Sequence, residues 1–124
     1  MKLAVIVFAF AGLFAFPALT QETRYSYRVS GTAIGPDSKG MRDINIFILP
    51  AVRPINGRLP GTKTRSDGSF EITFNDIPDK YKVCASNKES PFILKKDPTH
   101  RVACSATIEL PAHDESRRVD LKFD

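Results

Sequence analysis

From Tyr25 onward, the apolar residues of this chain recur at every second position, and no stretch sustains the three-to-four spacing of a helix. Tyr25, Tyr27 and Val29 alternate with Ser26, Arg28 and Ser30; Ile44, Ile46 and Ile48 share one parity, as do Phe70, Ile72 and Phe74, and Tyr81, Val83 and Ala85. Nine prolines and seven glycines cut these runs short. Both residues suit turns and strand ends and weaken helix interiors. A period of two puts one apolar face on each strand, and such faces are buried by packing sheet against sheet.

The breaks set the order of the elements. Gly31 ends the first run, and Gly35-Pro36-Asp37-Ser38-Lys39-Gly40 is turn chemistry throughout. The second strand stops at Pro50, where a loop with an Asn56-Gly57 turn runs to Gly61. Lys63 and Thr64 begin a short strand, Ser66-Asp67-Gly68-Ser69 is a tight turn, and Asn75 to Asp79 is another. The segment from Asn87 to His100 reads as polar and irregular. Val102, Ala106, Ile108 and Leu110 share one parity, and Val119, Leu121 and Phe123 make a terminal strand. Seven strands at this spacing predict an all-β sandwich in a single domain.

The first twenty residues stand apart. Lys2 precedes an apolar run from Leu3 to Leu19 broken by Pro17, with small residues near Thr20 and polar ones from Gln21. This is the pattern of a secretory signal peptide, with residues 1–20 removed and 21–124 forming the domain. An uncleaved anchor is the competing reading, since the run is just long enough to span a bilayer; Pro17 and the abrupt polar onset favour cleavage. The expectation is a secreted or periplasmic protein with no stable membrane anchor after cleavage. Two cysteines remain, Cys84 and Cys104, and in an exported chain they are expected to pair. Their parities conflict: Cys84 sits out of phase with Tyr81 and Val83, while Cys104 shares parity with the apolar set. The bond therefore requires a bulge, or a segment folded over the outer face.

Val29-Ser30-Gly31, Gly40 to Ile44, Thr64-Arg65-Ser66-Asp67-Gly68-Ser69-Phe70 and Ile77 to Val83 together resemble the carboxypeptidase regulatory-like domain family. Tyr81-x-Val83-Cys84 with a later cysteine is similar to its small secreted bacterial members. The resemblance implies a seven-stranded, transthyretin-like (prealbumin-like) Greek-key sandwich. It implies no activity, because such domains accompany peptidases, transporters and adhesins alike, and this chain has no room for a catalytic domain.

Chemistry-bearing residues are sparse. His100 and His113 lack the spacing of a ligand pair and lie in polar connections, which predicts solvated histidines and no resident metal or cofactor. Three tyrosines and two histidines match the residue types that hold iron in intradiol dioxygenases, a sandwich enzyme class, but Tyr25, Tyr27 and Tyr81 sit at packing positions. The terminal Leu121-Lys122-Phe123-Asp124 departs from the Tyr-Arg-Gly-Ser type tail of hydroxyisourate hydrolases. No G-x-S-x-G context supports a serine nucleophile.

The stretch from Ala51 to Ser66 holds Arg53, Arg58, Lys63 and Arg65 without an acidic residue. Phe47 and Leu49 lie on the strand face opposite Ile46 and Ile48, where Ile55 and Leu59 of the following loop can fold back over them. Arg53, Arg58, Lys63, Arg65, Phe47 and Leu49 form the candidate binding surface, for an envelope protein or an anionic glycan. The loop has no aromatic residue for stacking bases, so nucleic acid is not expected. The sequence thus predicts a non-enzymatic exported binding module. A carbohydrate-binding module is the alternative, disfavoured by the lack of tryptophan, and a small metalloenzyme is a distant third.

Overall fold

The alternating runs become nine strands: β1 (Tyr25–Ile34), β2 (Asn45–Pro50), β3 (Gly61–Lys63), β4 (Ser69–Asp76), β5 (Asp79–Ser86), β6 (Val102–Cys104), β7 (Ile108–Leu110), β8 (Glu115–Arg118) and β9 (Leu121–Lys122). They are seen in a computed structural model that describes residues 22–93 and 96–124, with no helix among the described residues. The expected signal segment, residues 1–20, lies outside the described residues.

Two sheets form. In one, β1 is central, antiparallel to β4 on one side and parallel to β8 and β9 on the other. In the second the order is β3-β2-β5, with β6 and β7 both pairing the far edge of β5. Because β6 with β7 and β8 with β9 each occupy one edge, the seven expected strands correspond to these nine. Tyr27, Val29, Ile46, Ile48, Phe70, Tyr81 and Val83 fill the space between the sheets. The Tyr27 and Phe74 ring centroids lie 5.7 Å apart within one sheet, and the Phe74–Tyr81 pair at 5.9 Å joins it to the other.

Three features depart from the alternation pattern. Gly31 does not end β1, which continues to Ile34. A Cβ at Gly31 would lie 1.8 Å from the carbonyl oxygen of Val119, so glycine lets the C-terminal chain close against β1. The terminal strand starts at Glu115, before its apolar residues, because β1 already offers an edge to pair. Between β8 and β9 the same register is kept by Val119 N–H donating to Ser30 O and by the Asp120 carboxylate accepting the Thr32 N–H at 2.9 Å.

The third departure resolves the cysteine conflict. Cys84 pairs with Cys104, whereas Tyr81 pairs with Ile108, a register shifted by one residue. The extra residue is a bulge at 105–107, where Ser105 Oγ accepts the Val83 N–H at 3.0 Å and Ser105 N–H donates to Val83 O at 2.8 Å. Cys104 therefore shares the outer face of the sheet with Cys84, which is nonetheless buried there, while Leu110 turns into the core. The disulfide Cys84–Cys104 forms as expected.

The residues of the resemblance also find physical reasons. Gly68 has φ +86°, and a Cβ there would lie 2.6 Å from Gly40 Cα, so the two turns interlock. Thr64 is buried; its hydroxyl donates to Met41 O and accepts the Ile44 N–H at 3.0 Å. The Asp67 carboxylate accepts the Ser69 N–H and hydroxyl at 3.0 and 2.6 Å, and these bonds hold its pKa below the usual range.

Candidate functional site

The outer face of the β3-β2-β5 sheet carries the row Phe47, Cys84 and Cys104, aligned by the strand register. Two loops rise beside it. Pro50 to Gly61 leaves the far end of β2 and returns alongside Phe47, where Ile48 N–H donates to Pro60 O. The loop after β5 leaves from the opposite end, next to Asn45, whose side-chain amide donates to Lys88 O at 2.8 Å. Between them lies a cleft of about 520 Å³ lined by Asn45, Phe47, Arg58, Leu59, Lys63 and Pro91, among others. Phe47 packs over Gly61, where an added Cβ would lie 3.2 Å from the Ile46 carbonyl oxygen. Leu59 borders the same space, as expected for a loop folding back, but Ile55 stays exposed.

The structure separates the four predicted cations. Arg58 and Lys63 line the cleft and form no ion pair among the described residues, with Glu89 the one carboxylate on its wall. Arg65 is turned to β4, where it donates to Ser69 Oγ at 3.2 Å and lies 3.9 Å from Glu71. Leu49 is half-buried on the face shared with Phe47, opposite Lys82.

Arg53 is committed elsewhere. Its Nε donates to Asp79 at 2.9 Å, and its Nη2 donates to Asp76 at 3.1 Å and to Tyr81 Oη at 3.0 Å. The guanidinium carbon lies 5.5 Å from the Tyr81 ring centroid. Burial lowers the Arg53 pKa, but the Tyr81 hydrogen bond and the Asp76 charge outweigh it, so the pKa rises overall. Tyr81 Oη donates to Ile77 O at 2.6 Å, and burial pushes its pKa up to about 12 against the opposing pull of Arg53. Arg53 thus ties the start of its loop to the β4–β5 hairpin. The absence of acidic residues from its own loop concealed this, because Asp76 and Asp79 come from a different turn.

His100 also departs from expectation. It is 3% exposed, not solvated. Its Nε2 lies 3.0 Å from both Ser86 Oγ and Ser90 O. Because a carbonyl only accepts, Nε2 carries the proton, and Ser86 Oγ in turn donates to Ser90 O at 2.7 Å. This buried cluster fixes the base of the loop that forms one wall of the cleft. His113 is exposed beside Glu115.

Two of the three tyrosine hydroxyls named for iron are otherwise engaged: Tyr27 Oη donates to Pro111 O at 2.6 Å, and Tyr81 Oη to Ile77 O. Burial is the main cause of the raised Tyr27 pKa. Among the described residues, no group of three or more His, Cys, Asp or Glu is placed to hold a metal ion.

Sequence reasoning missed one element of this face. The segment after Asn87, read as polar, presents Phe92 at 51% and Ile93 at 63% exposure, next to Pro91 on the cleft rim. The signal was the consecutive apolar pair itself, which alternation had no place for.

No family model and no curated protein matches the chain. Among solved structures, it is similar to the Bacillus anthracis TIE protein, with 11% identity, a TM-score of 0.49, and coverage of 81% of this chain and 16% of that one. It is similar to a DUF3823 family protein from Parabacteroides merdae ATCC 43184, with 10% identity, a TM-score of 0.47, and coverage of 79% and 45%. The major pilin subunit of Bacillus cereus gives 13% identity and a TM-score of 0.38, with coverage of 77% and 28%. The chain spans 16% and 45% of the lengths of the first two. Likeness at these scores says nothing of what the chain does.

Proposed function

We propose that this protein is an exported, non-enzymatic binding module that takes an anionic group in the cleft beside Phe47. The observation that carries the proposal is the pair Arg58 and Lys63, left without an ion-pair partner among the described residues on the wall of a cleft that Phe47 and Leu59 also line. Unpaired cations beside an apolar surface attract an anion and offer its carbon framework a contact. The disulfide supports an oxidising compartment. The transthyretin-like Greek-key relationship suggested by Val29-x-Gly31 and Thr64-x-x-Asp67-Gly68 belongs to the same proposal, as does a glycan or an envelope protein as the source of the anion.

Calorimetric titration with glycerol phosphate and with a sulfated oligosaccharide tests it, with the uncharged counterparts as controls. At least one anionic probe should bind, and Arg58→Ala with Lys63→Ala should weaken it about tenfold or more. Equal affinity in the double variant, or no binding by either probe, overturns the cleft assignment.

A further inference from the structure

The described residues expose four large apolar side chains, and they fall into two pairs: Val52 with Ile55, and Phe92 with Ile93. The first pair lies near Arg53, at the Pro50 end of β2. The second lies at the Asn45 end, following directly on Pro91 of the cleft rim. We propose that Phe92 and Ile93 are a membrane-inserting tip, and that the adjoining Arg58–Lys63 cleft docks the protein on the surface of an anionic phospholipid bilayer. This rests on the anion-binding reading of the cleft and extends it from a single anion to a charged interface.

Three observations favour a bilayer over a protein partner. The apolar surface is small: two neighbouring side chains fall far short of the roughly 800 Å² that each partner buries in a stable protein interface. A bilayer needs only a few apolar groups when basic residues assist, because anionic lipid attracts each nearby Lys or Arg independently. The charges are placed for that: Arg58 and Lys63 flank the tip on one side, and Lys96 follows it in the chain, exposed and with no ion pair among the described residues. Glu89 opposes them on the same wall, while Asp97 is paired with Lys88 and bonded to Thr99. Finally, the tip stands on a fixed base. Ser90 Oγ accepts the Phe92 N–H at 3.1 Å, and Ser90 O is held by Ser86 and His100. The Phe92 amide is therefore already satisfied before it leaves water, which removes a cost of insertion.

The chain has no tryptophan, so Phe92→Trp in the full chain supplies a sole indole at the tip. An apolar N-terminal run cannot mimic its signal. With phosphatidylglycerol-containing vesicles the indole emission should shift to the blue and be quenched by brominated acyl chains. Phosphatidylcholine alone should give little of either. Arg58→Ala and Lys63→Ala should each lower partitioning about 5-fold, and Ile93→Ser about tenfold. Val52→Trp, at the other end of β2, should stay unshifted and unquenched. Urea melts of each variant confirm that it is folded. An unmoved Phe92→Trp emission, or equal quenching at Val52→Trp, overturns the proposal. If glycerol phosphate binds with Arg58 and Lys63 dependence while the indole stays in water, the bilayer inference fails and the cleft reading survives. If neither glycerol phosphate nor the sulfated oligosaccharide binds and the indole stays in water, both fail.

Discussion

Arg53→Met separates a structural arginine from its neighbours in the same loop. The substitution keeps the length and the apolar stem, and removes three contacts of 2.9–3.1 Å to Asp79, Tyr81 and Asp76. The side chains of Arg53, Asp76 and Asp79 are 32%, 19% and 25% exposed. An exposed ion pair contributes about 0–1 kcal/mol, while breaking a buried one costs about 3–5 kcal/mol. These groups lie between the limits, with two sheltered carboxylates left close together, so the expected loss is about 2–3 kcal/mol. For a domain of this size that is a fall in Tm of roughly 10–20 °C. Arg58→Met, by contrast, removes no ion pair or hydrogen bond among the described residues and should stay within about 0.5 kcal/mol. Urea titration followed by circular dichroism reads both, and an unchanged slope attributes a moved midpoint to stability. If Arg53→Met loses less than about 1 kcal/mol, or Arg58→Met loses as much, Arg53 does not anchor the loop and the separation of the four cations fails.

Replacing both Cys84 and Cys104 by Ala opens a loop whose ends are 20 residues apart; chain-entropy arithmetic gives a loss of about 3 kcal/mol, measurable by the same titration. Thr64→Val keeps the shape but leaves the Ile44 N–H and Met41 O without their partner, at about 1–3 kcal/mol; a loss below about 0.5 kcal/mol would make the hydroxyl incidental. The Tyr81 pKa, raised from 10.0 to about 12, means the folded state holds the phenolic proton more tightly. The stability this supplies, about 2–3 kcal/mol, is present below pH 10 and lost as pH rises to 12. Tyr81→Phe should therefore lose less stability than wild type across that window, and parallel curves would refute the assignment. On the acid side, the lowered Asp67 pKa contributes stability that is present above about pH 4 and lost as pH falls through its folded value, so Asp67→Asn should flatten that limb of the melting curve.

What the sequence disclosed was whatever is written locally. Ile44, Ile46, Ile48 and Phe70, Ile72, Phe74 carry their own periodicity, and Asp67-Gly68 carries its own turn. The cysteine parity conflict even pointed to a bulge, although only the register could choose between that and a covering segment. What stayed hidden depends on which distant segments meet. Counting charges along Ala51 to Ser66 made Arg53 and Arg58 equivalent, yet the β4–β5 hairpin delivers two carboxylates to one and none to the other. His100 looked solvated because its neighbours in the chain are polar. It is enclosed because β5 continues to Ser86 and gives the ring a hydroxyl to meet. Phe92 and Ile93 fit no alternation, and so had no assigned place.

The bulge at 105–107 also bears on aggregation. It breaks the β5 edge ladder into two three-residue pieces, β6 and β7. The opposite edge strand, β3, is equally short. A long, regular edge is a template on which another chain can add a strand. Here the second sheet presents no continuous row of free amides and carbonyls, so the face bearing the cleft can sit at high local concentration without copies joining edge to edge. Deleting Ala106 removes the extra residue and keeps Cys104 outward and Leu110 inward. The variant gains a regular ladder, and with it an edge long enough to recruit a neighbour.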